Sequence, residues 1–396
     1  MRVLVHTPQG LAGRLQRSDG HYVFTFDPAA NADMEPALGM PLRALPYARP
    51  TLHPVFQMNL PEGFVLDQIR LRLAKTGVSD PLLLLNVIGS QAPIGRLHFN
   101  LEGEPAAMPS RPGERLADLL ASRGSKALFS RLVDDYVLSS GLSGVQPKVL
   151  VPEDPAGAVV EKAALATSDL IVKSGLDIYP GLAINEFFCM SVVERAGVKT
   201  PPFYLSDDGE LFIMRRFDRP SDGRILGFED MLSLAGRDTE QKYAGSYANI
   251  LKLLRFYCSP SRLTAAKQQL FDMLALSCIL GNGDAHMKNF GVLYEGVHDE
   301  VSMAPAYDIV CTRLYIPEDT LALTLDGNKS FFAARQGLRE FGRSCDIAPA
   351  AVDARLAELA QLTLDMLEEK ADTVARLSGL REVIETEARL YLESFK

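Results

Sequence analysis

The chain has 396 residues, 47% of them hydrophobic and 23% charged, which is the balance of a globular protein and excludes disordered, collagen-like and low-complexity classes. At about 100 to 200 residues per domain, the length suggests two to three domains. With 41 Lys and Arg against 50 Asp and Glu, the formal net charge is −9, which argues against a protein that coats nucleic acid or an anionic membrane by itself.

The first predicted elements are strands. Apolar residues alternate from Val3 to Phe26, as at Val3 and Val5 and again at Tyr22, Phe24 and Phe26, with Gly10, Gly13 and Gly20 between them. Such a pattern predicts short antiparallel strands joined by tight turns. Helical spacing begins after Pro61, and residues 82–99 return to apolar runs broken by glycine. The segment 103–113, rich in Pro, Gly and Ser, is the first expected linker. Beyond it the pattern predicts a helical stretch to Val137, strands near 145–151 and 169–173, a helix over 182–196 and a short apolar run at 211–217.

From Phe228 onward helices dominate. Residues 263–281 are apolar on nearly every face, so that helix is expected in the core. The last 48 residues, from Pro349, predict two amphipathic helices. The expected organisation is a β-rich amino-terminal subdomain over 1–105, a mixed segment over 114–227 and a helical lobe over 228–396. No internal repeat is evident.

The five cysteines are widely spaced and never form a CxxC pair, a pattern of reduced thiols in a cytoplasm rather than of a disulfide framework or zinc site. The amino terminus meets Gln9, Gly10 and Arg14 before an apolar core of signal-peptide length can form, so no secretory leader is expected. The densest apolar run, 81–88, is far short of the roughly 20 residues of a membrane span. A cytoplasmic protein is expected.

The string GNGDAHMKNFG, residues 281–291, follows the buried helix and places Asp284, His286, Lys288 and Asn289 within six positions. An Asp followed five residues later by an Asn is the spacing of a kinase catalytic loop, in which the Asp orients or deprotonates the acceptor hydroxyl and the Asn binds a metal ion. Nineteen residues beyond Asn289, Asp308 in PAYDIV is placed to be a second magnesium ligand. A helix cap and a solvated turn would explain the glycines but not Asp284, Asn289 and Asp308 together. His286 reads equally well as a prop of the loop or as a participant. Lys288 reads either as a charge for the transferring phosphoryl group or as a solvated side chain.

Upstream, SSGLSGVQPKVLV (139–151) leads into a strand through Gly141 and Gly144. Such a loop lets backbone amides approach phosphate, with Lys148 adding charge, although a plain hairpin turn would look the same. The run DLIVK ends in Lys173, the arrangement that aims an ammonium at the α and β phosphates. Glu186, thirteen residues later in a predicted helix, is either its ion-pair partner or an exposed carboxylate.

Taken together, SGVQPK (143–148), the pair Asn185 and Glu186, RRFDR (215–219), EDMLSLAG (229–236), Lys242 and Tyr243, NGDAHMKN (282–289) and PAYDIV (305–310) resemble the HipA family of serine/threonine kinases, the toxins of type II toxin–antitoxin systems. NLPEG (59–63) and PIGRLHF (93–99) are similar to that family's amino-terminal subdomain. The resemblance implies a two-lobed, kinase-like α+β fold that uses ATP and Mg²⁺. It also implies a protein serine or threonine as acceptor, commonly on an aminoacyl-tRNA synthetase.

Further, it implies neutralisation by a small HipB-like helix-turn-helix antitoxin, with DNA reached only through that partner. Asp284 would then be catalytic, with His286 and Lys288 beside it, and Asn289 and Asp308 would hold the metal. Ser143, Gly144, Val145, Gln146 and Lys148 would form the phosphate loop, and Lys173 with Glu186 would complete the nucleotide site. The position at which family members often carry an autophosphorylated serine is Gly141 here. Two rival readings stay open: a kinase of a small molecule or lipid, and a nucleotide-binding pseudokinase that serves as corepressor of a DNA-binding partner.

Overall fold

The computed structural model describes the chain except for residues 73–79, 90–92, 104–112, 138–145, 155–169, 176–178 and 394–396. The fold is α+β, with a β-rich opening and a helical carboxy-terminal part, as the sequence leads one to expect. Two compact units are built from interleaved pieces of chain. The first comprises Met1–Leu176, Ser206–Thr239 and Leu293–Glu300, and the second Asp177–Leu205, Glu240–Val292 and Val301–Lys396.

In the first unit, β1 (Arg2–Thr7), β2 (Gly10–Ser18) and β3 (His21–Phe26) form an antiparallel meander. Asp19 and Gly20 between β2 and β3 both have positive φ, 50° and 78°, the backbone that a two-residue hairpin matched to strand twist requires. Alternation buries Val3, Val5, Leu15, Phe24 and Phe99 in one core. β4 (Tyr47–Arg49) and β5 (His98–Leu101) complete a sheet of order β4-β3-β2-β1-β5.

The run 82–99 splits between two elements. Pro81–Gly89 is a helix, begun where the Asp80 carboxylate accepts from the Leu82 amide at 2.8 Å; leucine, with no branch at Cβ, loses little rotamer freedom there. Only the end of the run is strand.

A second antiparallel set contains β6 (Lys148–Val151), β7 (Leu170–Lys173) and β8 (Phe212–Arg215). The RRFDR segment forms a buried ionic knot beside it. Asp218 accepts from Arg216 Nε at 2.9 Å and Nη2 at 2.6 Å, from Arg219 Nη1 at 3.2 Å and from the Gly95 amide at 2.8 Å. Burial alone would raise the Asp218 pKa, but the two guanidinium groups and these bonds hold it below the usual carboxylate range. Both arginines also donate to the Pro93 carbonyl, at 2.7 and 3.0 Å, so residues 93–95 are tied to 216–219.

In the second unit the helix Pro260–Ile279 is buried through most of its carboxy-terminal half, from Leu270 to Ile279. It packs against Pro349–Glu369 and Leu380–Glu393, the two long carboxy-terminal helices, which flank a short turn of helix at Ala371–Val374. Asp272 on the buried helix is held by Arg355 at 3.1 and 3.0 Å. All five cysteines are buried and unbridged. Among the described residues, no helix is long and apolar enough to cross a membrane.

Candidate active site

The helix Pro260–Ile279 ends at Leu280, and Gly281 (φ +70°) turns the chain out of it, the left-handed cap that glycine adopts without a Cβ penalty. The Asn282 amide donates back to Ser277 O at 2.8 Å, and Asn282 Oδ1 accepts from the Asp284 amide at 3.0 Å. An Asx turn therefore presents Asp284. The Gly283 amide donates to Thr312 Oγ1 at 2.7 Å, and Thr312 in turn donates to the Asp319 carboxylate. Gly283 is packed so closely that a Cβ there would fall on that carboxylate and lie 2.6 Å from the Thr320 carbonyl oxygen. Glycine is required at this position by space, not by backbone angle.

The loop closes on itself through Asn289, whose Oδ1 accepts from the His286 amide at 3.1 Å. Its Nδ2 donates to Asp308 Oδ2 at 3.0 Å. Asp308 has φ +60°, the left-handed region that Asp tolerates better than bulkier residues and that gathers at functional sites. The neighbouring Tyr307 hydroxyl donates to Lys288 O at 2.6 Å. The second unit thus brings Asp284, His286, Lys288, Asn289 and Asp308 together as the spacing suggests.

One carboxylate and one side-chain amide oxygen are a donor set suited to magnesium, which takes one or two protein oxygens and leaves its other positions to water and phosphate. Among the described residues no group of three or more His, Cys, Asp or Glu forms a separate metal cluster.

His286 is buried, and its pKa is pushed down to about 3 by that burial, assisted by the charge of Lys242. A neutral imidazole suits a structural prop of the loop more than a group that exchanges protons near neutrality. Its ring meets Tyr243 edge to face, with centroids 5.1 Å apart. The Tyr243 hydroxyl donates to Asp284 Oδ1 at 2.7 Å, and Lys242 O accepts from the Met287 amide at 3.2 Å. Neither this contact nor the Thr312–Asp319 clasp is visible in local spacing, since Tyr243 lies 41 residues before Asp284.

Glu186 sits in the second unit, on the helix Leu182–Arg195, and is completely buried, which removes the exposed-carboxylate reading. Its neighbour Asn185 accepts from the Cys311 amide at 2.8 Å and donates to Cys311 O at 3.0 Å, a pairing that fixes the chain just after Asp308.

In the first unit, Lys148 and Lys173 are direct cross-strand partners and are 6% and 3% exposed. Lys173 Nζ lies 5.6 Å from the Phe212 ring centroid. Gln146 is half-buried ahead of β6, whereas Ser143, Gly144 and Val145 lie outside the described residues.

Comparison with known proteins agrees with these motifs. Residues 140–367 match the family described as HipA-like C-terminal domain, and residues 3–100 match the HipA N-terminal domain. A protein of Sinorhizobium fredii named "Putative kinase Y4dM" is 28% identical over 92% of this chain and 87% of its own length. The serine/threonine-protein kinase toxin HipA of Shewanella oneidensis is 25% identical over 47% of this chain and 46% of its own. A solved complex of HipA, HipB and operator DNA from Shewanella oneidensis superposes with a TM-score of 0.71 at 18% identity, covering 99% of this chain and 96% of that one. That likeness establishes the fold.

Proposed function

Because the chain belongs to the HipA family, we propose that it is a protein kinase that transfers the γ-phosphoryl group of Mg·ATP to a serine or threonine hydroxyl. The observation that carries this reading is the 3.0 Å bond between Asn289 and Asp308, which ties the loop that carries Asp284 to a residue nineteen positions beyond Asn289. In this reading Asn289 and Asp308 would hold magnesium, which would supply charge neutralisation for the phosphates, and Lys148 and Lys173 take the phosphate-binding role that the family resemblance implies. Asp284 takes the acceptor proton as the new O–P bond forms and the bond to ADP breaks. Positioning and charge do most of the work in such a transfer.

The acceptor, on the family's pattern, is a protein of the translation apparatus such as an aminoacyl-tRNA synthetase, and the compartment is the cytoplasm. A HipB-like antitoxin is the proposed partner, supported by the complex in which the Shewanella HipA sits. The net charge of −9 leaves DNA contact to that partner.

The test uses the distinct duties of two aspartates. Asp284→Asn should keep Mg·ATP affinity by calorimetry while lowering phosphotransfer by about 10²-fold or more, the scale of a lost general base. Asp308→Asn should damage both. Wild-type transfer by Asp284→Asn to every acceptor in a lysate would refute the assignment. Tight Mg·ATP binding without any transfer, including self-transfer, would favour the corepressor role instead.

A further inference from the structure

The contact at Asp284 supports a role for a residue outside the loop. Tyr243 is 45% exposed, so its position is not forced by burial in a core. Three contacts hold it instead: its hydroxyl on Asp284 Oδ1 at 2.7 Å, its ring edge to face with His286, and Lys242 Nζ 5.3 Å from its ring centroid. The backbone of Lys242 is pinned by the Met287 amide at 3.2 Å. The phenol is thus fixed on the same loop that presents the carboxylate. A carboxylate on a short side chain turns about its Cβ–Cγ bond with little resistance. A phenol donating to one oxygen stops that rotation and sets the direction of the other.

We infer that Tyr243 is a positioning residue that fixes the Asp284 carboxylate for the acceptor hydroxyl; this rests on Asp284 serving the acceptor as proposed above. Tyr243→Phe removes one hydrogen bond to a charged group and leaves the ring in place. It should lower kcat about tenfold with little change in KM for ATP or in the circular dichroism spectrum.

A residue acting through Asp284 has nothing to act on once that carboxylate is gone. In an Asp284→Ala background, Tyr243→Phe should therefore change the residual rate by less than about twofold. A general loosening of the loop would instead carry the full tenfold loss into the double variant and overturn the inference, as would wild-type kcat for Tyr243→Phe.

A second measurement needs no turnover. With the 12 tyrosines labelled at ¹³Cζ, the resonance lost in Tyr243→Phe should shift in Asp284→Ala. An unmoved resonance overturns the clamp whatever the activity. A moved resonance in a protein that transfers no phosphate supports the clamp and refutes the kinase reading.

Discussion

Replacing Asp218 by Asn tests the ionic knot of the first unit with almost no change in volume, so the effect is electrostatic rather than a cavity. The Asp218 side chain is 6% exposed, that of Arg216 3% and that of Arg219 9%. The variant therefore keeps two buried guanidinium groups and removes the charge that compensates them. The amide also turns an N–H toward donors now satisfied at 2.6 to 2.9 Å. Breaking a buried pair from one side costs about 3–5 kcal/mol.

With a urea slope of about 3 kcal/mol/M, the midpoint for the first unit should fall by about 1 M or more. The chain has no tryptophan, so far-UV circular dichroism is the natural probe. The folded pKa of Asp218 lies below the unfolded value of about 3.9. Its stabilisation is therefore complete above that value and is lost as pH falls through the folded pKa, where wild type and variant should converge. A midpoint shift under about 0.3 M at neutral pH, or a difference that widens in acid, would refute the argument.

Gly283→Ala forces a Cβ onto the Asp319 carboxylate and the Thr320 carbonyl. Phosphotransfer should drop by about 10²-fold while Mg·ATP binding persists, and a variant with wild-type turnover would show that the clasp does not position Asp284. Glu229 accepts from the Leu38 amide at 2.8 Å and the Tyr294 hydroxyl at 2.7 Å, and burial raises its pKa from 4.5 to about 7. Its contribution to stability is present below about pH 4.5 and lost as pH rises through about 7. Glu229→Gln should therefore flatten the decline in urea midpoint over that range, and an unchanged slope would contradict it.

Much of the architecture could be read from the chain because its signals are local. Alternation at Val3, Val5, Phe24 and Phe26 marks the meander, and the apolar stretch from Leu270 to Ile279 marks a core helix. The spacing of Asp284, Asn289 and Asp308 was legible because a short loop and one later residue carry it. Hidden from the sequence were contacts made by chain segments far apart: Tyr243 on Asp284, Thr312 on Gly283 and Asp218 on Gly95. A tyrosine or threonine has no pattern of its own that announces a distant partner. The leucine run after Asp80 was ambiguous for a different reason, since a short unbroken apolar stretch has neither period 2 nor period 3.6 and an N-terminal cap decides the outcome.

The pairing of β1 with β5, Val3 opposite Leu101, bears on how the protein is made. The first three strands leave the ribosome together, yet β1 waits for a neighbour encoded more than ninety codons downstream. At about 5–20 residues per second this interval is roughly 5–20 s. Throughout it the nascent meander carries an open, apolar edge, the surface on which strands of separate chains join. Clustered slow codons between 26 and 98 would lengthen that exposure, and a strand-binding chaperone should find this chain chiefly during those seconds.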